Sequence, residues 1–347
     1  SKNGIYDPFS ERKYPVGIQT FERIIREGYI YVDKTDLVWQ LANYGTYIFL
    51  SRPRRFGKSL LTSTLESYFR GEKELFHGLK IMALEQKWEK YPVLHLDLST
   101  AKSMRSAEEL KSTLLWLLRP LADLYGRETD ETSPGKLLSG IISRAFGKTG
   151  KQVVVIIDEY DAPLLDVIHD ETILSDIRWV MQEFYQPLKA GEAKIKFCFL
   201  TGITRLSQLN IFSTLNNLTN VSLLPKFSAI CGITADELHT FLRTDIALLA
   251  ESNHCTEEEM AARLQRKYDG YHFSETSQDI YNPYSLLSAF ANQKLSNYWF
   301  ETGTPTFLIR MMKQFHYDIT VMDNIETTDY AISRPTEAMT TMIPLLY

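Results

Sequence analysis

At 347 residues the chain has room for two or three domains. With 44% hydrophobic and 23% charged residues, a disordered, collagen-like or coiled-coil chain is excluded. The net charge of −5, from 38 basic and 43 acidic residues, argues against nucleic-acid binding by the whole chain but leaves room for a local basic patch.

The three cysteines, Cys198, Cys231 and Cys255, are widely spaced and form no C-x-x-C, so neither a zinc site nor a disulfide framework is expected and a reducing cytoplasm fits. No run approaches the ~18 apolar residues a membrane span needs, and S-K-N-G-I-Y-D-P-F at the start has no signal-peptide core.

Residues 1–45 read as a lead-in with helices over 18–27 and 35–44. A short buried strand, Thr46 to Leu50, is followed by an Arg-rich turn at 51–57 and a helix over 58–69. The chain then alternates. Strands are expected at Val93 to Leu98, Val153 to Ile157 and Ile195 to Leu200. Helices are expected over 106–125, 137–147 and Ile173 to Tyr185, with 126–136 as a polar loop. Continuous apolar strands alternating with helices imply an α/β fold, a parallel sheet covered on both faces. After about residue 234 the strand signal fades, and 235–250, 256–267, 284–294 and 304–313 read as helices.

The sharpest feature is S-R-P-R-R-F-G-K-S at 51–59, placed between a strand and a helix. Backbone N–H groups in such a turn converge on the positive end of a helix dipole, which is an anion site. Gly57 admits close approach of a phosphate, Lys58 reaches its oxygens as a point charge, and the Ser59 hydroxyl can join a Mg²⁺ shell. The pattern G-x-x-x-x-G-K-[ST] would put its first glycine at Arg52. The loop carries Arg52, Arg54 and Arg55 instead, which can add phosphate contacts or meet nucleic acid or a partner. A chance G-K-S at a basic helix start is the bland alternative.

The companion motif is V-V-V-I-I-D-E-Y-D at 153–161, an apolar strand delivering carboxylates at its C-terminal end. Asp158 would hold Mg²⁺, and Glu159 would orient or deprotonate the attacking water. Asp161 reads as a loop or helix-cap residue. A third strand ends in T-G-I-T-R-L-S, where Thr201, with Thr204 second, can sense the γ-phosphate and Arg205 can act as an arginine finger. A tight turn of solvated polar residues is the alternative there.

Taken together, Y-P-V-G-I-Q-T-F, Y-V-D-K-T, R-P-R-R-F-G-K-S, I-D-E-Y-D-A-P, L-T-G-I-T-R-L-S, L-N-N-L-T, Y-D-G-Y-H-F and Y-N-P-Y-S-L-L resemble the bacterial AAA-ATPase-like family. The resemblance covers nearly the whole chain. It implies a P-loop NTPase core over 46–233, an α-helical lid over 234–300 and the start of a winged-helix-like segment over 301–347. It also implies that R-P-R-R-F-G-K-S is the family's usual phosphate loop. Relatives often continue into a domain similar to PD-(D/E)xK nucleases, for which no signature is present, so the chain is expected to be an N-terminal fragment.

The expected ligands are ATP or ADP and Mg²⁺. The nucleotide-binding candidates are Arg54, Arg55, Phe56, Gly57, Lys58, Ser59 and Leu60. The metal candidates are Ser59 and Asp158, and the catalytic candidates are Lys58, Glu159, Thr201 and Arg205. By analogy with AAA+ proteins, Tyr14 to Ile18 and Asn282-Pro283 flank the nucleotide, although Pro at a first helical turn is also an ordinary start signal. His272 reads as a packed loop residue. The absence of N-K-x-D favours adenine over guanine. The expected activity is ATP hydrolysis as a switch or motor for an attached or partner effector. The alternative is a regulatory module with negligible turnover, contacting DNA through its basic loop and winged helix. A homo-oligomer is one expected arrangement; a membrane partner is not expected.

Overall fold

The computed structural model describes residues 12–204, 217–271, 273 and 279–298. The helix expected over 304–313, the winged-helix-like segment at 301–347, Arg205 and His272 lie outside them.

The lead-in carries α1 (Phe21–Arg26) and α2 (Thr35–Ala42). Strand β1 (Tyr47–Ser51) runs into the Arg-rich turn and α3 (Lys58–Phe69). Then follow β2 (Val93–Asp97), α4 (Ala107–Tyr125), α5 (Pro134–Thr149), β3 (Val153–Asp158), α6 (Ala162–Leu165), α7 (Glu171–Ala190) and β4 (Ile195–Gly202). Strand β5 (Thr219–Asn220) completes a five-stranded sheet in the order β2-β3-β4-β1-β5, each neighbour parallel. The expected α/β fold is therefore present, in the P-loop NTPase-like form: the Arg-rich turn joins a central strand to a helix.

Side-chain alternation along the strands feeds two apolar layers. Phe49, Val153, Val155, Ile157, Cys198 and Leu200 pack with α4, α5 and α7. Ile48, Leu50, Val154, Ile156, Phe197 and Phe199 face α2 and α3. Every residue of β1 and β3 is buried. Each such Val, Ile or Phe contributes roughly 1.5–3 kcal/mol of transfer free energy, which is why these strands read as unbroken apolar runs.

Several boundaries differ from the sequence reading. Helix α5 begins at Pro134, inside the expected loop, because the Ser133 hydroxyl accepts from the Lys136 N–H and proline suits the first helical position. The helix expected over 235–250 is two, α8 (Ala235–Phe241) and α9 (Arg243–Ser252). A small antiparallel pair, β6 (Ile233–Thr234) with β7 (Ile280–Tyr281), lies where no strand was expected. Helices α10 (Glu257–Tyr268) and α11 (Pro283–Asn292) complete a third core with α8 and α9, built on Leu238, Leu249, Met260, Leu264, Leu286 and Phe290.

The lead-in straps these parts together. The buried Asp245 of α9 accepts from Arg12 and Tyr14. Lys34 donates to the Ala229 carbonyl and pairs with Glu237 of α8.

Arg52 corrects the reading of the loop as three ligand-facing arginines. Its side chain is only 1% exposed, and its guanidinium donates to the carbonyls of Ser51, Ser222 and Phe227. The guanidinium also lies 3.9 Å from the Phe273 ring centre. It has no carboxylate partner among the described residues, and burial pulls its pKa down to about 10. Arg52 thus ties β1 to the chain after β5. Arg52→Ala is expected to lower the unfolding free energy in urea by roughly 2–4 kcal/mol, because buried carbonyls lose a charged donor. Arg52→Gly, which supplies the glycine the loop pattern asks for, should destabilise as well, and an unchanged urea midpoint in both variants would refute this role.

Candidate functional site

The turn after β1 ends at Gly57, whose φ of +91° makes it the left-handed residue capping α3. A Cβ there would meet nothing within 4 Å, so the glycine serves the backbone conformation and leaves open space above the helix N-terminus. Lys58 is buried beneath that space, and its Nζ donates to the Pro53 carbonyl at 2.8 Å, closing the loop on itself. Desolvation pulls the Lys58 pKa down, and the charges of Glu159 and Asp158 oppose that.

The acidic end of β3 faces this loop because β4 alone separates β3 from β1, with all three strands pointing the same way. Register places Leu50 beside Thr201 and Ile157 beside Leu200, so the loop and the carboxylates share one edge of the sheet. Asp158 is 2% exposed and accepts from the Thr62 hydroxyl at 3.2 Å and from the Glu159 N–H at 3.0 Å. Burial pushes its pKa up, while a hydrogen bond from Ser59 and the Lys58 charge act the other way. Glu159 is half-buried, with φ at +53°, a left-handed geometry that aims it off the end of the strand. Its pKa is also raised by burial, against the cations Lys58 and Arg54. A polar cleft of about 380 Å³ brings Arg54, Arg55, Lys58, Ser59 and Glu159 together with Asp97.

Asp97 and Thr62 did not appear among the sequence candidates. Asp97 ends β2 in register with Asp158, the same acidic strand end that singled out Asp158. Thr62 follows Ser59 by one helical turn, a spacing that puts both hydroxyls on the face of α3 toward β3.

Other candidates are placed differently from the expectation. The Thr201 hydroxyl is fully buried and donates to the Leu50 carbonyl at 2.7 Å. It stitches β4 to β1 and does not line the cleft. Asp161 sits just before α6 without capping it. Its Oδ2 instead accepts from the Ile203 and Thr204 N–H groups, at 3.0 and 2.7 Å, fixing the end of β4. The Phe56 ring is fully buried against Tyr271 and Phe273, so it anchors the loop from behind. Gly232 lies close against that ring, since an added Cβ would come within 2.6 Å of it.

On the other side of Gly57 lies an apolar pocket. The lead-in gives it Pro15 and Val32, α3 gives Leu60 and Leu61, the segment before β6 gives Ile230, and α11 gives Pro283 and Leu287. The structure thus brings together Pro15 and Pro283, two residues 268 positions apart that the sequence reading had linked to the nucleotide only by analogy.

Residues 15–212 match the AAA-ATPase-like family, described as "Predicted AAA-ATPase". An uncharacterized protein in the vnfD 5' region of Azotobacter chroococcum mcd 1 is 35% identical over 329 residues, which are 93% of this chain and 60% of that protein. The chain therefore spans about 60% of the length of this relative. Among solved structures, the Aeropyrum pernix ORC2 protein in its ADPNP–ADP complexes aligns with a TM-score of 0.35 at 10% identity, over 89% of this chain and 78% of that one. No helix among the described residues is long and apolar enough to cross a membrane.

The raised native pKa of Asp158 has a consequence for stability. Its ordinary value is 3.8. Above that pH the unfolded carboxyl has lost its proton while the folded one still holds it, so stability falls as pH rises through the window up to the native value. Urea midpoints of wild type and Asp158→Asn, measured without divalent cations from pH 4 upward, should show wild type losing ground to the variant. Parallel curves would mean the carboxylate is as well stabilised folded as unfolded.

Proposed function

Because the chain belongs to the AAA-ATPase-like family of predicted AAA-ATPases, we propose that it binds ATP with Mg²⁺ and hydrolyses it as a switch or motor for an effector. The observation that carries this reading is the cleft in which Lys58 and Ser59, at a helix N-terminus, meet Glu159, with the buried Asp158 hydrogen-bonded to Ser59. A helix N-terminus with a buried lysine suits a polyphosphate tail. The neighbouring apolar pocket between Pro15, Leu60 and Pro283 suits a flat base.

In this reading Gly57, Lys58 and Ser59 hold the β- and γ-phosphates, with Arg54 and Arg55 adding charge at the cleft wall. The residues at the acidic edge fit a divalent ion. Asp158 is a nearly unexposed carboxylate whose pKa is raised by burial, and it lies beside the Ser59 and Thr62 hydroxyls. Among the described residues no group of three or more His, Cys, Asp and Glu forms a metal cage. That suits Mg²⁺, which keeps waters and phosphate oxygens in its shell. When bound, the ion neutralises charge on the phosphates.

Glu159 takes the water's proton as the water oxygen bonds to the γ-phosphorus and the bond to the β–γ bridging oxygen breaks, releasing ADP and phosphate. Its raised pKa makes it a stronger base than an ordinary carboxylate. We assign residues 46–233 as the nucleotide core and 234–300 as the lid. Because the chain covers 60% of its relative, the effector is assigned either to further sequence or to a partner, with a second copy of the chain as one candidate.

Lys58→Ala should remove measurable affinity for labelled ATP. Glu159→Gln should keep affinity within about threefold while phosphate release falls at least 100-fold, the scale of a lost general base. ATP bound equally well by Lys58→Ala would sink the binding reading. Equal phosphate release by wild type and Glu159→Gln would leave a nucleotide-binding module without this catalytic route.

A further inference from the structure

Arg55 faces two ways. It lines the polar cleft with Lys58, Ser59 and Glu159, and it also lines the apolar side with Pro283 and Tyr284. Its guanidinium carbon lies 4.7 Å from the centre of the Tyr284 ring, in the first turn of α11. Its backbone is left-handed, with φ at +65°, a conformation that a non-glycine residue keeps only when its contacts hold it there.

The chemistry of a guanidinium lets both sides act at once. The flat face stacks on an aromatic ring, while the N–H donors lie in the plane and point outward from its edge. The contact with Tyr284 is made through the cation and not through its N–H groups. It restrains the guanidinium at the border of the cleft. The proline at the start of α11, together with the Asn282 side chain that accepts from the Ser285 N–H, fixes the turn that carries this ring.

We infer that Tyr284 is a positioning residue for the polyphosphate tail, acting through Arg55. This rests on the nucleotide reading above and adds to it a physical link between the phosphate loop and the first turn of α11. By reciprocity, a phosphate held by Arg55 tightens α11 on the loop to the same degree that Tyr284 tightens the phosphate.

The test uses the 347-residue chain and calorimetric titration with inorganic tripolyphosphate, which has no base to fill the apolar pocket. Tyr284→Leu should weaken tripolyphosphate roughly 3- to 10-fold, the range a partly desolvated cation–π contact supports. Tyr284→Phe, which keeps the ring, should retain affinity within about twofold. The double variant with Arg55→Ala should bind no more weakly than Arg55→Ala alone, because the ring acts only through the cation.

Additive losses in that cycle, or a Tyr284→Leu variant as tight as wild type, would overturn the inference. So would a Tyr284→Leu defect seen with ATP but not with tripolyphosphate, since the ring would then serve the base pocket. Failure of wild type to bind either ligand would bring down the nucleotide reading itself. Normal wild-type binding with an unchanged Tyr284→Leu variant would remove the Tyr284 link alone.

Discussion

The structure depends on one electrostatic constraint: a lysine and two carboxylates are held together, largely out of water, at one edge of a parallel sheet. None of the three is well served by its surroundings. Desolvation pulls the Lys58 pKa down and pushes those of Asp158 and Glu159 up. Their mutual attraction offsets part of that penalty, and short-range donors such as Thr62 and the Glu159 N–H offset more. The apolar strands β1 and β3 make the arrangement tolerable. Their buried side chains supply the stability against which such an edge is held, and a left-handed residue at each chain exit, Gly57 and Glu159, turns the backbone toward the cleft.

The arginines of one short turn show how burial sorts identical side chains. Arg52 enters the protein and replaces solvent with three carbonyls and a ring. Arg54 stays at the cleft wall, close enough to Glu159 to oppose the rise in its pKa. Arg55 lies between the cleft and a tyrosine of α11. Phe56 enters the apolar layer behind them and packs on Tyr271 and Phe273. A loop lacking the expected glycine at position 52 is thus braced from behind by an arginine and a phenylalanine, which fixes where its cleft-lining residues stand.

The same region gathers segments far apart in sequence. Lys34 joins Glu237, and Arg12 with Tyr14 joins Asp245. These contacts draw the lead-in over the junction where Pro15 meets Pro283 beside Gly57. The Asp245 carboxylate is wholly buried, so removing its partners would leave an uncompensated charge. The apolar pocket therefore owes its walls to polar ties that lie outside it.

Local pattern alone determined four strands of the parallel sheet, most of its helices and the two motifs. Apolar runs marked β1, β3 and β4, apolar helical spacing marked α4, and G-K-S at a helix start with D-E at a strand end marked Lys58, Ser59, Asp158 and Glu159, because these patterns are properties of a few adjacent residues. Tertiary structure decided what needs neighbours distant in the chain. It turned the Thr201 hydroxyl into a strand-to-strand tie and Asp161 into the clamp on the end of β4. It buried Arg52, brought Asp97 level with Asp158, and set Tyr284 over Arg55. Pairing register and burial fix these roles, and both are settled only when strands and helices far apart along the chain pack against one another.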